Sequence, residues 1–329
     1  MLRLDRKDRN LLYQLDINSR QSASKIGKII SLSKEVVNYR IKRLLEAGII
    51  NKFMTLMNTA NLGVTTYKIF YRFQNTTPEI EREIINYLTK HQNTQLVTDV
   101  EGMYDLNINI IVKTPEEFND ILSSISKEFG YYFANREVLL LVKSNFFFRD
   151  YLIQMPSNKT RKPMYFGSKP EEAKVDPIDK KILSALGENA RTPIVDIAKL
   201  TQKSPDAIAL RIKRLEKLGI IQSYVIFLNP EQSGFIWNYV LLTFNIATEE
   251  NEKLFFEYCK NHPNIWFYSR MIGNYDAIFN IDTEDHETFK KTIIEIKRNF
   301  SKLIKNYITL QIYRPYKFNM FPQSLNKSL

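Results

Sequence analysis

Two matching stretches decide the fold of this chain: Arg40-Ile41-Lys42-Arg43-Leu44 with Gly48-Ile49-Ile50, and Arg211-Ile212-Lys213-Arg214-Leu215 with Gly219-Ile220-Ile221. The same register relates Asp5 to Asp176, an offset of 171 residues, and it continues without a gap as far as Phe129 and Phe300. Chance does not keep a gapless register over that length, so the sequence predicts one unit used twice in tandem.

The positive charge of the chain is concentrated at the front of each unit. Over 329 residues, Lys and Arg outnumber Asp and Glu by 47 to 36, a net charge of +11. Residues 1–60 carry 12 basic and 5 acidic side chains, whereas residues 61–150 carry 9 and 12. Residues 175–229 carry 9 and 6, and residues 230–329 carry 12 and 11. A basic front indicates a polyanionic partner, most often a nucleic acid.

The front of each unit shows the pattern of three short helices. Ser33 and Ser204 are candidate N-caps of the third helix, and Gly48 and Gly219 stand where that helix would end. A short second helix, a tight turn and a third helix with one apolar face form a helix-turn-helix, whose last helix enters the major groove of DNA. The apolar segments that follow, residues 49–57 and 220–228, are expected to form wings.

The outer face of the first unit's third helix is polar. Asn38 is suited to read adenine there, and Lys42 and Arg43 are suited to read guanine or to hold phosphate. The competing interpretation is a charged helix face that is merely solvated. The caps, the turn spacing and the duplication favour the DNA-binding interpretation.

The back of each unit alternates strand and helix patterns in the order βαββαβ. This order predicts a ferredoxin-like sheet with helices on one face, and it makes the chain an α+β protein. Strands are expected at residues 66–73, 95–100, 106–112 and 136–142 and again at 238–245, 266–271, 277–282 and 307–313. Helices are expected at residues 79–90, 115–129, 250–260 and 286–300. The predicted domains are residues 1–60, 61–150, 175–229 and 230–329, with a linker at 151–174 that contains three prolines and scattered charges.

The front of both units resembles the winged helix of the Lrp/AsnC (feast/famine) regulators. In the second unit Ala209-Leu210 stand in place of Asn38-Tyr39, so this copy is expected to bind DNA weakly or to read different bases. Two further departures are Tyr39, where the family usually has arginine, and Leu45, where it usually has glutamate. The resemblance rests on Leu4-Asp5, Asp8, Leu12, Leu15, Asn18, Arg20, Leu32-Ser33, Val37, Arg40 to Leu44, Gly48 to Ile50, and their counterparts from Asp176 to Ile221. It implies DNA contacts by Ser33, Lys34, Glu35, Asn38, Tyr39, Arg40, Lys42, Arg43, Ser204, Arg211, Lys213 and Arg214.

A turn in the back of each unit also resembles the family. The G-x-Y/F-D signature of its ligand-responsive domain is similar to Gly102-Met103-Tyr104-Asp105 and to Gly273-Asn274-Tyr275-Asp276. In that family the domain dimerises sheet to sheet, and some members bind an amino acid near this turn. The competing interpretation is a hairpin that needs glycine for backbone freedom and aspartate to satisfy the turn. The resemblance implies effector contacts by Gly102, Tyr104, Asp105, Gly273, Tyr275 and Asp276.

No catalytic site, metal site or cofactor is predicted. His91, His262 and His286 are too few and too scattered for a metal centre or a nucleophile pair. Cys259, the single cysteine, excludes an intrachain disulfide and is expected in a core, as are Trp237 and Trp266. No apolar stretch approaches the roughly 20 residues of a membrane helix. The start lacks a signal-peptide pattern, so a cytoplasmic, nucleoid-associated protein is expected.

These patterns together predict a sequence-specific transcriptional regulator. One chain would act as a covalent pseudo-dimer, with its two helix-turn-helices on neighbouring half-sites of double-stranded DNA. Responsiveness to an amino acid or another small molecule, and further homo-oligomerisation, stay open. One alternative is an architectural DNA-binding protein with little sequence preference. The other is an enzyme resembling the siroheme decarboxylases, which are similar to Lrp/AsnC proteins in both domains and use histidines and arginines for a tetrapyrrole.

Overall fold

The computed structural model describes residues 2–153, 163–167, 173–245 and 248–327, and the same unit occurs in it twice. Each unit begins with three helices and one strand and continues with a βαββαβ domain. The first unit comprises α1 (Arg6–Ile17), α2 (Ala23–Ile30), α3 (Lys34–Glu46), β1 (Ile50–Met57), β2 (Thr65–Phe73), α4 (Pro78–Lys90), β3 (Thr94–Glu101), β4 (Leu106–Val112), α5 (Pro115–Phe129) and β5 (Phe133–Phe146).

The second unit repeats this order after a short strand, β6 (Met164–Gly167). It comprises α6 (Pro177–Glu188), α7 (Ile194–Thr201), α8 (Pro205–Lys217), β7 (Ile221–Leu228), α9 (Pro230–Ser233), β8 (Ile236–Phe244), α10 (Glu249–Asn261), β9 (Phe267–Ile272), β10 (Ala277–Thr283), α11 (His286–Asn299), β11 (Ile304–Phe318) and α12 (Ser324–Lys327).

Side-chain caps fix where the helices of both helix-turn-helix domains begin. Asp5 and Asp8 form a capping box at the start of α1, and their counterparts do the same at α6. The hydroxyl groups of Ser33 and Ser204 each accept a hydrogen bond from a backbone N–H in the first turn of α3 and α8. These bonds satisfy donors that the first turn of a helix leaves unpaired. The predicted start of the third helix is confirmed in both units.

The segments expected to form wings form instead one ribbon between the two units. β1 pairs antiparallel with β7, so that Phe53 lies opposite Ile226 and Met54 opposite Val225. Both strands are buried along most of their length. A buried strand cannot leave its backbone N–H and C=O groups unpaired, and each strand finds its partner in the other unit. The strands expected after each third helix are present, and through them the two helix-turn-helix domains share a two-stranded sheet.

The two βαββαβ domains close a single sheet. Within each domain the strand order is ferredoxin-like, β5-β2-β4-β3 in the first and β11-β8-β10-β9 in the second. β3 pairs with β11 and β5 pairs with β9, so the last strand of each unit continues into the other unit. Because β2 also pairs with β5, eight strands form a closed ring. β6 extends the ring from within the predicted linker, of which residues 154–162 and 168–172 lie outside the described residues.

Apolar side chains fill three cores. The helices of each βαββαβ domain cover the outer face of the ring, with Ile84 and Leu88 in the first core and Phe255 and Cys259 in the second. The third core runs from the helix-turn-helix domains through the β1–β7 ribbon to the inner side of the ring. The buried position predicted for Cys259 is confirmed. None of the described helices is long and apolar enough to cross a lipid bilayer.

Candidate nucleic-acid interface

The outer face of α3 carries the side chains that were predicted to contact DNA. The buried side of the helix holds Val37, Ile41 and Leu44, which pack against the first two helices. This packing turns the polar side toward solvent. Tyr39 is the most prominent residue there, with 65% of its surface exposed. Six of the predicted residues share this exposed surface: Ser33, Lys34, Glu35, Asn38, Tyr39 and Lys42.

Arg40 and Arg43 have a second role, which sequence reasoning missed. Arg40 Nη1 lies 2.8 Å from Asp5 Oδ2 and 2.7 Å from Asp8 Oδ1. Arg43 Nη2 lies 2.6 Å from Asp8 Oδ2. The hydrogen bond that Arg40 donates to Asp5 raises the pKa of Arg40. These ion pairs hold α3 against the start of α1. The sequence signal that could have revealed them is that all four residues recur in the second unit.

The second unit repeats this fastening. Arg211 Nη1 lies 2.7 Å from Asp176 Oδ2 and 2.8 Å from Asp179 Oδ1. Arg214 Nη1 lies 2.8 Å from Asp179 Oδ2. Asp179 is fully buried, as Asp8 is in the first unit. The attachment of the third helix is therefore the same in both helix-turn-helix domains.

The outer face of α8 differs from that of α3. Leu210, with 67% of its surface exposed, stands at the position of Tyr39, and the half-buried Ala209 stands at that of Asn38. Ser204 and Lys213 are exposed, as predicted. Consequently α8 offers a charged side chain for phosphate but lacks the amide that could pair with a base.

Exposed lysines on α2 extend the basic surface of the first domain, and sequence reasoning did not single them out. Lys25 and Lys28 are both exposed on this helix. In α7 the corresponding positions are Asp196 and Lys199, whose charged groups lie 3.9 Å apart. The signal that could have revealed these two lysines is their place in the sequence, on the helix directly before α3.

The Gly102 and Gly273 turns lie where the two units meet. Gly102 has a φ of 140°, and a Cβ added to it would lie 2.9 Å from the carbonyl oxygen of Thr309 in β11. Gly273 has a φ of 144°, and its added Cβ would lie 2.5 Å from Leu139 Cδ2 in β5. Only glycine accommodates both the backbone conformation and the close approach of the opposite unit.

The tyrosine and the aspartate of each turn are engaged within the protein. Tyr104 and Tyr275 are buried, and the hydroxyl of Tyr275 lies 3.8 Å from Met103 Sδ of the other unit. Burial raises the pKa of Tyr104. Asp105 accepts the backbone N–H of Phe73 at 2.7 Å, and Asp276 accepts the equivalent N–H at 2.7 Å. These four predicted effector residues thus hold the turns and the contact between the units.

A cleft of about 600 Å³ opens beside the first of these turns. Arg72 and Arg82 supply positive charge to its walls, and Asp99 and Glu101 supply negative charge. Tyr313 enters from the second unit, and its hydroxyl donates to Glu101 Oε2 at 2.5 Å. The cleft therefore combines both signs of charge with contributions from both units.

The helix-turn-helix domains match a known family in both units. The AsnC-type helix-turn-helix domain matches residues 4–45 and 175–216. An uncharacterised HTH-type transcriptional regulator of Pyrococcus abyssi is 32% identical over 121 residues, which are 36% of this chain and 80% of that protein. The chain belongs to the Lrp/AsnC family of DNA-binding transcriptional regulators. The HTH-type regulator LrpA of the same organism is 43% identical to this Lrp/AsnC protein over 81 residues, 25% of this chain and 55% of LrpA.

One solved structure is similar to this Lrp/AsnC regulator along nearly its whole length. The siroheme decarboxylase NirDL superposes with a TM-score of 0.60 over 98% of this chain and 96% of its own, at 12% sequence identity. The likeness is one of fold. It confirms the predicted combination of fold elements in tandem.

Proposed function

We propose that this Lrp/AsnC regulator binds DNA as a covalent pseudo-dimer and that α3 reads most of the sequence. The observation that carries the proposal is the contrast between two helices on one scaffold: α3 exposes Asn38 and Tyr39 where α8 has Ala209 and Leu210. The β1–β7 ribbon joins the two domains, which suits two half-sites at a fixed spacing. Fusion also keeps the second domain at a high local concentration.

The predicted residues divide into two groups in this proposal. Asn38 pairs with a base, while Lys34 and Lys42 contact guanine or phosphate. Arg43 and Arg214, with 31% and 47% of their side chains exposed, can add phosphate contacts without leaving their carboxylates. Arg40 and Arg211 are less exposed, at 18% and 28%, and position the reading helices.

A matched pair of variants tests which helix reads bases. An operator is first selected from random DNA with the full chain at physiological salt. Asn38→Ala is then expected to weaken binding to this operator by about 1–3 kcal/mol, roughly 5–150-fold, because a base loses its bidentate partner. Ala209→Ser, at the same position of the second unit, is expected to change affinity little. Equal losses from both variants would contradict the asymmetry.

The spacing of the half-sites tests the pseudo-dimer. Inserting about 5 base pairs between them should reduce affinity strongly, whereas inserting about 10 should restore part of it, because one helical turn brings the second groove back to the same side. An architectural binder would instead tolerate both insertions and bind unselected DNA equally well, with a steep loss of affinity as salt rises.

We also propose that an effector such as an amino acid binds in the cleft beside the Gly102 turn. The supporting feature is the presence of both Arg72 and Asp99 in the walls, which suits a carboxylate and an ammonium group of one small molecule. At the 171-residue offset these positions are Thr243 and Arg270, so a single site per chain is expected. A thermal-shift screen of amino acids should give a hit that Arg72→Ala removes and Thr243→Ala retains.

Two wider expectations accompany the proposal. The regulator is expected in the cytoplasm at the nucleoid, because its partner is DNA, and a fluorescent fusion tests this.

The enzymatic alternative requires histidine at a tetrapyrrole, but His91 and His262 cap the ends of α4 and α10, and His286 begins α11. Adding an iron tetrapyrrole to the protein is expected to leave the Soret band unshifted, and a shift abolished by His91→Ala would favour the enzyme.

A further inference from the structure

The closed ring of strands encloses a cavity of about 70 Å³ between the two units. A cavity of about 150 Å³ holds a benzene molecule, so this one has room for a molecule with a few non-hydrogen atoms. Both tryptophans of the chain, Trp237 and Trp266, line it. Much of the remaining lining is apolar, including Leu96, Leu141, Phe146 and Phe318.

One cationic side chain faces this cavity. Lys68 lies on β2 and is buried. Its Nζ donates to Asn107 Oδ1 at 2.9 Å and to Asn109 Oδ1 at 3.4 Å, and it lies 4.7 Å from the centre of the Tyr239 ring. No ion pair of Lys68 is found among the described residues, and burial lowers its pKa to about 7. A buried ammonium group without a carboxylate is costly, and a bound anion would offset that cost.

The other polar groups of the cavity also favour an anion. Trp237 Nε1 is buried and has no hydrogen-bond acceptor among the described residues. The acidic group in the lining, Asp282, is already engaged: it accepts Trp266 Nε1 at 2.7 Å and Asn280 Nδ2 at 2.5 Å. Among the described residues, the cavity therefore offers Trp237 Nε1 without an acceptor and one further N–H of Lys68, while its carboxyl group is already engaged.

The polar residues that line the cavity in one unit are not repeated at the equivalent positions of the other unit. At the offset of 171 residues, Lys68 corresponds to Tyr239, Thr66 to Trp237, and Asp282 to Ile111. A symmetric ring would place two ammonium groups face to face at its centre, where they would repel each other. The divergence leaves one cation on one side and an aromatic wall on the other, which suits a single ligand with a charged end and an apolar end.

We propose that this cavity binds one short-chain monocarboxylate of about two or three carbons, with its carboxylate on Lys68 Nζ and Trp237 Nε1 and its alkyl end against the apolar wall. The class follows from the volume, the single cation and the apolar lining. This site is separate from the cleft beside the Gly102 turn, and the inference does not depend on DNA binding.

Intrinsic fluorescence tests the proposal directly, because both tryptophans line the cavity. Titrating the full chain with sodium propionate at pH 6 should change the emission saturably, whereas propionamide, which has the same shape without the charge, should not. Lys68→Met should weaken propionate binding at least tenfold. Lys143→Met, an exposed lysine on β5 outside the lining, should bind like the parent. An absent response, an equal response to the amide, or unchanged binding by Lys68→Met would each overturn the proposal.

Calorimetry on the parent protein gives a test that does not depend on any variant. The charged or titratable groups in the lining are Lys68, Asp282 and Tyr239. Between pH 6 and pH 8 Lys68 loses its proton and Asp282 gains negative charge, and both changes oppose an anion. Affinity should therefore fall by about tenfold or more over this range, with proton uptake on binding near pH 7.5. Binding without pH dependence and without proton uptake would show that Lys68 is not the anion's partner.

Discussion

The two corners where a helix-turn-helix domain meets the other unit's βαββαβ domain are built with different chemistry. In the first corner Arg9 of α1 makes a bidentate ion pair with Glu284, with N–O distances of 2.6 and 3.0 Å. In the second corner the corresponding residues are Lys180 and Lys113. Burial, together with the charge of Lys113, lowers the pKa of Lys180. At the surface, opposite charges therefore attract each other in the first corner, and like charges repel each other in the second.

The two corners differ more in their buried contacts than in their surface contacts. Asp16 of α1 and Arg149, which follows β5, form a buried ion pair, and the backbone N–H of Arg149 also donates to Asp16 Oδ2 at 3.0 Å. The corresponding residues of the second corner are Gly187 and Met320. There the C-terminal segment covers α6 with the buried side chains of Met320 and Phe321.

The duplication therefore preserved the scaffold, while the attachments of the two DNA-binding domains diverged. The first domain is held by charge and the second by apolar packing. An attachment based on charge depends on keeping both partners of a buried pair, whereas an apolar attachment depends on volume. Substitutions that exchange the chemistry of the corners therefore test the difference.

The largest effect is expected from Arg149→Met, which places the residue of the second corner in the first. Asp16 would lose the cation that faces it in a buried site, at a cost of about 3–5 kcal/mol in the free energy of unfolding. Urea denaturation of the full chain measures the loss. In the double variant Asp16→Asn with Arg149→Met, most of the loss should be recovered because both charges of the ion pair are removed together. A loss below about 1 kcal/mol in the single variant would show that the ion pair does not hold the domain.

A smaller effect is expected from Gly187→Ala in the second corner. The added Cβ would lie 2.9 Å from Asn319 Oδ1 and 3.2 Å from Phe321 Cβ. Asn319 cannot easily move, because it donates to Glu188 Oε1 and accepts the N–H of Phe321. Overpacking should cost about 1–3 kcal/mol, less the gain of up to about 1 kcal/mol that alanine brings to a helix.

The control for this variant is Gly130→Ala, whose Cβ would meet only Ser126 Cβ, at 3.9 Å. This change should leave the unfolding midpoint nearly unchanged. If Gly187→Ala stabilised the protein as an ordinary helix substitution does, the close packing of the second corner would not be limiting.

Much of the fold could be predicted from the sequence, because its patterns are local. The residues of β4 and α5 were predicted to the same limits that the structure shows. β5 and β11 are longer than predicted, at Phe133–Phe146 and Ile304–Phe318. The extra residues toward the C-terminus of each strand pair with the other unit, residues 143–146 with β9 and residues 315–318 with β3. Pairing between repeats leaves no periodicity of its own in the sequence, and for the same reason the pairing of β1 with β7 was not predicted.

The site was predictable as a surface but not residue by residue. Helical spacing correctly put Asn38 and Lys42 on the outer face of α3, since an apolar stripe fixes the opposite face. The same spacing could not reveal that Arg40 and Arg43 bind Asp8, a contact across more than thirty residues of chain. The cavity around Lys68 was also invisible, because its lining comes from strands of both units.

A buried carboxyl group beside the first corner makes the stability of the protein depend on pH. Trp266, which packs against the guanidinium of Arg149 at 4.0 Å, donates to Asp282, and burial raises the pKa of this carboxyl to about 7. The folded protein keeps this proton up to about pH 7, whereas the unfolded chain releases it near pH 4. Stability should therefore fall as pH rises from about 4 to about 7.

Asp282→Asn isolates this contribution, because the amide resembles the protonated carboxyl and does not titrate. Relative to the parent, the variant should become progressively more stable as pH rises from about 4 to about 7, and the difference should then stay constant. Urea denaturation at several pH values measures it. Ile111→Val, at the equivalent position of the first unit, is the control and should give a curve parallel to the parent's. A parallel curve for Asp282→Asn would mean that the group titrates normally.

The smallest effect is expected from Lys113→Glu, which gives the second corner the charge arrangement of the first. Lys180 would then face a carboxylate, as Arg9 faces Glu284, and the free energy of unfolding should rise by about 0.2–1 kcal/mol, the range of exposed ion pairs. Because this contact is near the surface, the gain should shrink in 1 M salt, where the screening length falls to about 3 Å. Lys127→Glu, an exposed charge reversal on α5 of the same domain, separates the pair from net charge. An equal gain from Lys127→Glu would mean that lower net charge stabilises the protein, and that the like charges of the second corner do not act on each other.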